Sequence, residues 1–258
     1  MNDINLFNFD LLIIFMANKI SAGSYDLNRF LQGGYDKDII TTIYGPGGSG
    51  KSNLCMSLCV SRAKKGDRVI FIDSEGSFSV DRFRQIHGDD KSVVDKDIEN
   101  VLVLNPTSFA EQEKAFSDLA KQLKLENISL IIVDSIGMLY RLELAQAAGS
   151  KEQRQIQEVN AKMAKQLMFL NEIARKQNIP VVVTNQVYSN YVKDFDDKNQ
   201  RQVNMVGGDL LKYWSKCLIE LQNSFGRRKL VLRKHRSIKE KEMGFEIINS
   251  GIKKRGLF

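Results

Sequence analysis

The sequence predicts an α/β fold: a mostly parallel central sheet with helices on both faces, extended by short antiparallel strands near the C-terminus. Three observations carry this. Apolar runs of strand length alternate with segments of helical period. A Gly-rich turn, Gly45-Pro46-Gly47-Gly48-Ser49-Gly50, joins the first of these runs to a helical segment. After Trp214 the helical period gives way to paired β-like segments.

Taken in order, residues 24–34 read as a short helix, with Leu27, Phe30 and Leu31 on one face and Gly33-Gly34 stopping it. The first core strand is expected at 39–44. A helix follows over about 52–65, with Leu54, Cys55, Leu58 and Cys59 on one side. Residues 68–73 (RVIFID) form a continuous apolar strand, as a sheet buried on both faces requires. A short strand at 101–104, a helix over 108–125 and a buried strand at 130–134 come next. Residues 153–177 form a long helix, with Ile156, Val159, Met163, Leu167, Leu170 and Ile173 at steps of three and four. A strand at 180–184 precedes β-like segments at 217–222, 229–233 and 244–248, expected to be antiparallel. Two stretches, about 138–152 and 187–208, lack regular signals. Both follow strands at the sheet edge that carries the Gly-rich turn, where open α/β sheets bind ligands.

The chain has 258 residues, enough for one α/β domain with a substantial core. Residues 20–258 read as that core with a basic C-terminal segment, and 1–19 as an N-terminal extension for which Met16 offers an alternative start. The longest early apolar run, 11–16, is six residues, far short of a bilayer span, and lacks the flanks of a signal peptide. A cytoplasmic location is expected and a membrane partner is not. Three cysteines without a C-x-x-C pair, and two histidines, make a zinc site unexpected.

The segment from Gly45 to Ser52 fits G-x-x-x-x-G-K-[ST] at every fixed position. A chance match in a chain of this length has a probability of about 1 %. Such a loop wraps its N–H groups around a triphosphate, and the following helix adds its positive end. The candidate ATP contacts are Gly45, Pro46, Gly47, Gly48, Ser49, Gly50, Lys51, Ser52 and Asn53. Lys51 would reach the β- and γ-phosphates, and the Ser52 hydroxyl would ligate Mg²⁺. Asp134 ends an apolar strand in the manner of a Walker-B acid and is the second candidate Mg²⁺ residue. Glu75, just past the strand 68–73, is the candidate water-activating acid. Asp73 is its rival, but a strand-end position suits a structural contact better. Gln186 opens the second irregular stretch and could sense the γ-phosphate.

In this order and at this spacing, YGPGGSGKSNL, FIDSEGSFSVDRF, LIIVDSIGML, VVVTNQV and GGDLLKYWSKCLIEL resemble the RecA/RadA recombinase ATPase core over about residues 20–250. With at most about 20 residues ahead of that core, the chain looks most like the RadB family of short archaeal RadA paralogues. The resemblance implies a RecA-like P-loop core and ATP binding with weak hydrolysis. It also implies contact with single- or double-stranded DNA, with a RadA-type recombinase and with a Holliday-junction resolvase; self-association is a further possibility. It assigns the two irregular stretches to DNA-facing loops. The first carries Arg141, Lys151 and Arg154 beside Glu143 and Glu152. The second carries Lys193, Lys198 and Arg201 beside Asp194, Asp196 and Asp197. Both are near neutral, which argues against autonomous strand exchange.

The positive charge lies elsewhere. The net +7 arises from residues 226–258, where eleven Lys/Arg face three Glu. Arg227, Arg228, Lys229, Arg233, Lys234 and Arg236 are the candidates for DNA contact. They could also reach a neighbouring subunit's ATP, as the K-x-R pair of related RecA-fold ATPases does. Strand alternation would set Arg233 and His235 opposite Lys234 and Arg236. Three functions compete: an ATP-gated DNA-binding accessory of homologous recombination and repair, a DNA-dependent ATPase that performs strand exchange, and a RecA-fold signalling or assembly ATPase with protein partners alone.

Overall fold

The computed structural model describes residues 18–125, 127–149, 152–189 and 203–256. The N-terminal extension up to residue 17, Lys151 and the charged residues between 193 and 201 lie outside this range.

In chain order, β1 (Lys19–Ile20), α1 (Tyr25–Phe30) and β2 (Tyr35–Asp36) form a small antiparallel unit. β3 (Ile40–Gly45) runs through the Gly-rich loop into α2 (Lys51–Ala63). β4 (Arg68–Asp73) is followed by α3 (Val80–His87), α4 (Lys91–Ile98) and β5 (Val101–Leu104). α5 (Phe109–Leu125) leads to β6 (Ile128–Asp134). α6 (Met138–Gly149) and α7 (Gln153–Gln177) precede β7 (Val181–Ser189). β8 (Val203–Met205), α8 (Gly208–Trp214), β9 (Cys217–Ser224), β10 (Arg227–Lys234), β11 (Lys241–Ile248) and β12 (Gly251–Lys254) complete the fold.

The main sheet has the order β12-β11-β10-β9-β3-β7-β6-β4-β5, with β8 on β7. Strands β9, β3, β7, β6, β4 and β5 are parallel to their neighbours, and β10 to β12 add on antiparallel. Each apolar run divides its side chains between two layers. Phe71, Leu130 and Ile132 pack with Leu54, Leu58 and Phe83 on one face. Ile70, Ile72, Ile131 and Val133 pack with Met163, Leu167 and Leu170 on the other. Burial on both faces explains why these strands read as continuous rather than alternating apolar segments. No described helix is long and apolar enough to cross a membrane.

The sequence expectation differs from the structure in four places. Residues 138–149 are helical, not irregular. Leu139, Tyr140 and Ala147 are buried while Leu142 is exposed, so the helix shows no single apolar face; its Leu, Ala, Glu and Gln content favours helix by propensity alone. α3 and α4 are too short to display a period, although Ser79 caps α3 and Gly88 ends it in the left-handed conformation. β9 lies parallel to β3, so the antiparallel strands begin one strand later than expected. Finally, β7 continues to Ser189 because β8 pairs with it, which turns both ends of the second irregular stretch into a ladder.

Candidate functional site

Strand register brings the site together. Gly45 is level with Gln186 on the adjacent β7, and Asp73 with Asp134 on the adjacent β6. Because β3, β7, β6 and β4 are consecutive in the sheet, their C-terminal ends deliver the Gly-rich loop, Gln186, Asp134 and Glu75 to one edge. A Cβ on Gly45 would sit 2.3 Å from the Leu221 carbonyl oxygen of β9, so only glycine fits where the strand becomes the loop. Gly50 has φ +108° and carries the chain into α2, a conformation that side chains resist.

Lys51 opens α2 and is buried. Its Nζ donates to the Gly45 and Pro46 carbonyls at 3.0 Å each and to Gln186 Oε1 at 3.2 Å. Burial lowers the ammonium's pKa, and the carboxylates of Glu75 and Asp134 oppose that. The amide nitrogen of Gln186 meanwhile donates to both Glu75 oxygens, at 3.3 and 3.2 Å. Gln186 therefore bridges the loop lysine and the candidate catalytic acid. Glu75 Oε1 also accepts from Ser135 Oγ at 2.6 Å.

Asp134 is fully buried. Its oxygens accept from Ser77 Oγ at 2.6 Å and from Thr184 Oγ1. Burial raises the carboxyl's pKa; hydrogen bonds from Ser52, Ser77 and Thr184 pull it down, and the Glu75 charge pushes it up again. Ser52 and Asp134 both offer hard oxygen ligands. Asp73 is spent on its own loop: its carboxylate accepts from the backbone N–H groups of Glu75, Ser77 and Phe78 at 3.2, 2.9 and 2.8 Å. Asn53 Oδ1 accepts from Arg82 Nε at 2.9 Å, and the same guanidinium reaches the Ile248 and Asn249 carbonyls. Sequence reasoning missed Ser77, Thr184, Ser135 and Arg82. A strand-end Thr or a loop Ser carries no signal until the neighbouring strand is known.

The basic segment is largely engaged within the fold. Arg233 bonds Glu220 at 2.6 Å and also meets Glu240. Lys234 Nζ donates to the Lys212 and Ser215 carbonyls at 2.7 and 2.8 Å. Lys229 pairs with Glu242 at 3.0 Å. Arg236 and the buried His235 converge on Asp36, at 3.0 and 3.2 Å. The expected alternation of Arg233 and His235 against Lys234 and Arg236 does not hold. The β9–β10 register shifts between Leu232 and Lys234, and the strand ends at Lys234. Arg228 is placed differently: its Nε and one terminal nitrogen lie 3.4 Å from the Gly48 carbonyl oxygen.

A Gly-rich loop between β3 and α2, with acids and an amide from neighbouring strand ends around it, defines a P-loop protein with a RecA-like core. The sequence profile of the Rad51 family matches residues 16–255, and the chain belongs to that family. It is 38 % identical over 240 residues to the DNA repair and recombination protein RadB of Methanobrevibacter smithii, covering 91 % of this chain and 95 % of the relative. The RadB of Methanococcus maripaludis is 38 % identical over 227 residues, with 88 % and 96 % covered. That of Methanocaldococcus jannaschii is 37 % identical over 228 residues, with 88 % and 98 % covered. The expected resemblance to RecA/RadA proteins, and to RadB in particular, is thereby met.

Proposed function

We propose that this chain is an ATP-gated DNA-binding accessory of homologous recombination and DNA repair, with slow hydrolysis. One observation carries the gating: the Gln186 amide touches Lys51 on one side and Glu75 on the other, on β7, three residues before that strand ends at Ser189. A change at the loop lysine has a direct route to the segment beyond β7.

The residues present suit ATP and magnesium. Ser49 Oγ is buried with no hydrogen-bond partner among the described residues, and the space beside Gly47 and Gly48 is open. The backbone from Gly45 to Ser52 would hold phosphate oxygens, with Asn53 behind it. Lys51 would exchange its two loop carbonyls for them. Ser52 and Asp134 would hold magnesium, which when bound neutralises phosphate charge. Glu75 would orient a water molecule and take its proton. Its oxygens are already engaged by Ser135 and Gln186, which supports slow turnover. The partners proposed are DNA, a RadA-type recombinase and a Holliday-junction resolvase, in the cytoplasm.

The test is DNA binding measured across salt, with and without ATP and Mg²⁺, on a sample whose size is determined in parallel. Binding that strengthens with ATP and weakens with salt is expected. No DNA binding at low salt would discard this reading in favour of an assembly ATPase with protein partners.

A further inference from the structure

β9 outruns the strand it pairs with. Its last pair with β3 is Glu220 with Tyr44, and it continues through Ser224, about 13 Å further at roughly 3.3 Å per residue. It then turns back into β10 through two residues, Phe225 and Gly226, since Ser224 pairs with Arg227. Both have positive φ, +50° and +79°. Such two-residue turns favour Asn-Gly or Asp-Gly, because a bulky side chain is strained in the first position. Phe225 sits there nonetheless, and its relative exposure is 108 %, so it gains nothing from burial. A residue disfavoured by both backbone and solvent, and not compensated among the described residues, marks a function.

The chemistry beside the ring identifies the partner. Arg227 is exposed and has no ion pair among the described residues, and Arg228 bonds a neutral carbonyl, so both keep uncompensated charge. An exposed aromatic next to uncompensated guanidinium groups is how proteins hold an unpaired base and its phosphate. We propose that the β9–β10 turn binds single-stranded nucleic acid, with Phe225 stacked on a base and Arg227 on the adjacent phosphate. The proposal rests on the DNA-binding reading above and adds a site outside the two stretches, 138–152 and 187–208, that the family resemblance assigns to DNA. Arg228 and Asn223, both reaching the Gly48 carbonyl oxygen, anchor the hairpin to the phosphate loop.

The experiment uses the full chain with ATP and Mg²⁺ and measures anisotropy of a labelled oligothymidylate and of a labelled duplex. Phe225→Asn suits the turn better than phenylalanine and is expected to fold at least as well. It should weaken oligothymidylate binding about tenfold, leave duplex binding unchanged and leave the salt slope unchanged. Phe225→Trp should keep wild-type affinity, and its indole emission should be quenched by the oligonucleotide. Trp214, the single natural tryptophan, is removed as Trp214→Phe in that background. Wild-type oligothymidylate affinity in Phe225→Asn, or no quenching in Phe225→Trp, would overturn the proposal. So would unchanged DNA binding with lost self-association, which would assign the ring to a protein pocket. If the wild type binds neither DNA, the proposed function falls with it; if only the variants behave as wild type, this site alone is wrong.

Discussion

Lys51, Gln186 and Glu75 form a short chain of hydrogen bonds, and each link has its own consequence. Lys51→Ala removes the one buried cation among the loop carbonyls, and loss of nucleotide binding is expected by fluorescent-nucleotide titration. Retained affinity would count against the whole site. Glu75→Gln keeps the size and loses the base. Nucleotide binding should persist while steady-state phosphate release falls at least about a hundredfold, the usual contribution of a positioned base. Unchanged turnover would move that role elsewhere, although Asp73 is held by three backbone N–H groups. Gln186→Ala should bind nucleotide but lose the ATP dependence of DNA affinity, because the bridge is gone while both of its ends remain.

At the scale of elements, the small β1–β2 unit and the segment after β10 are locked together at Asp36. Lys19 lies 3.1 Å from this carboxylate, and His235 and Arg236 reach it from the other side. Burial by itself would raise the Asp36 pKa, but the His235 hydrogen bond and the Lys19 and Arg236 charges outweigh it and hold the group at about 2. A carboxyl depressed from an ordinary value of 3.8 to about 2 stabilises the fold at neutral pH by on the order of 2 kcal/mol. That contribution is complete above pH 4 and disappears as pH falls through 2. Asp36→Asn should lower the unfolding free energy by about this amount at pH 7. The gap between variant and wild type, followed by urea denaturation, should close towards pH 2. A gap that does not change with pH would mean that the carboxylate charge is not what holds the two elements together.

Over the whole molecule, a net charge of +7 and an isoelectric point near 9.2 suggest a polyanion partner, but the charges are not equally available. Eight Lys/Arg lie between 227 and 241. Lys229, Arg233 and Arg236 are ion-paired, Lys234 is held by two carbonyls, and Lys241 sits 4.9 Å over the Phe30 ring. Arg227 and Lys239 remain, with Arg228 held only by long contacts of 3.4 Å to the Gly48 carbonyl oxygen. Three phosphate contacts predict a slope of about −2 for log affinity against log salt on single strands, and eight would give about −6. Binding measured between low and moderate salt should follow the shallower line; a slope near the steeper one would mean that the internal pairs open to meet the DNA.

The sequence by itself determined the Gly-rich loop between strand and helix, the placement of Glu75, Asp134 and Gln186 at or just past strand ends as candidates, and the long helix at 153–177, because each is written in local chemistry: a Gly pattern, a polar residue ending an apolar run, or a period. Which strand lies beside which is not local. Only the tertiary structure put β7 between β3 and β6, so that Gln186 stands level with Gly45 and joins Lys51 to Glu75. It likewise decided that Asp36, Asp38 and Glu220 neutralise much of the basic segment. Those partners lie between 13 and 200 residues away in the chain. Strand order and ion pairing across such separations follow from how the two apolar layers pack, and no short window of sequence contains that packing.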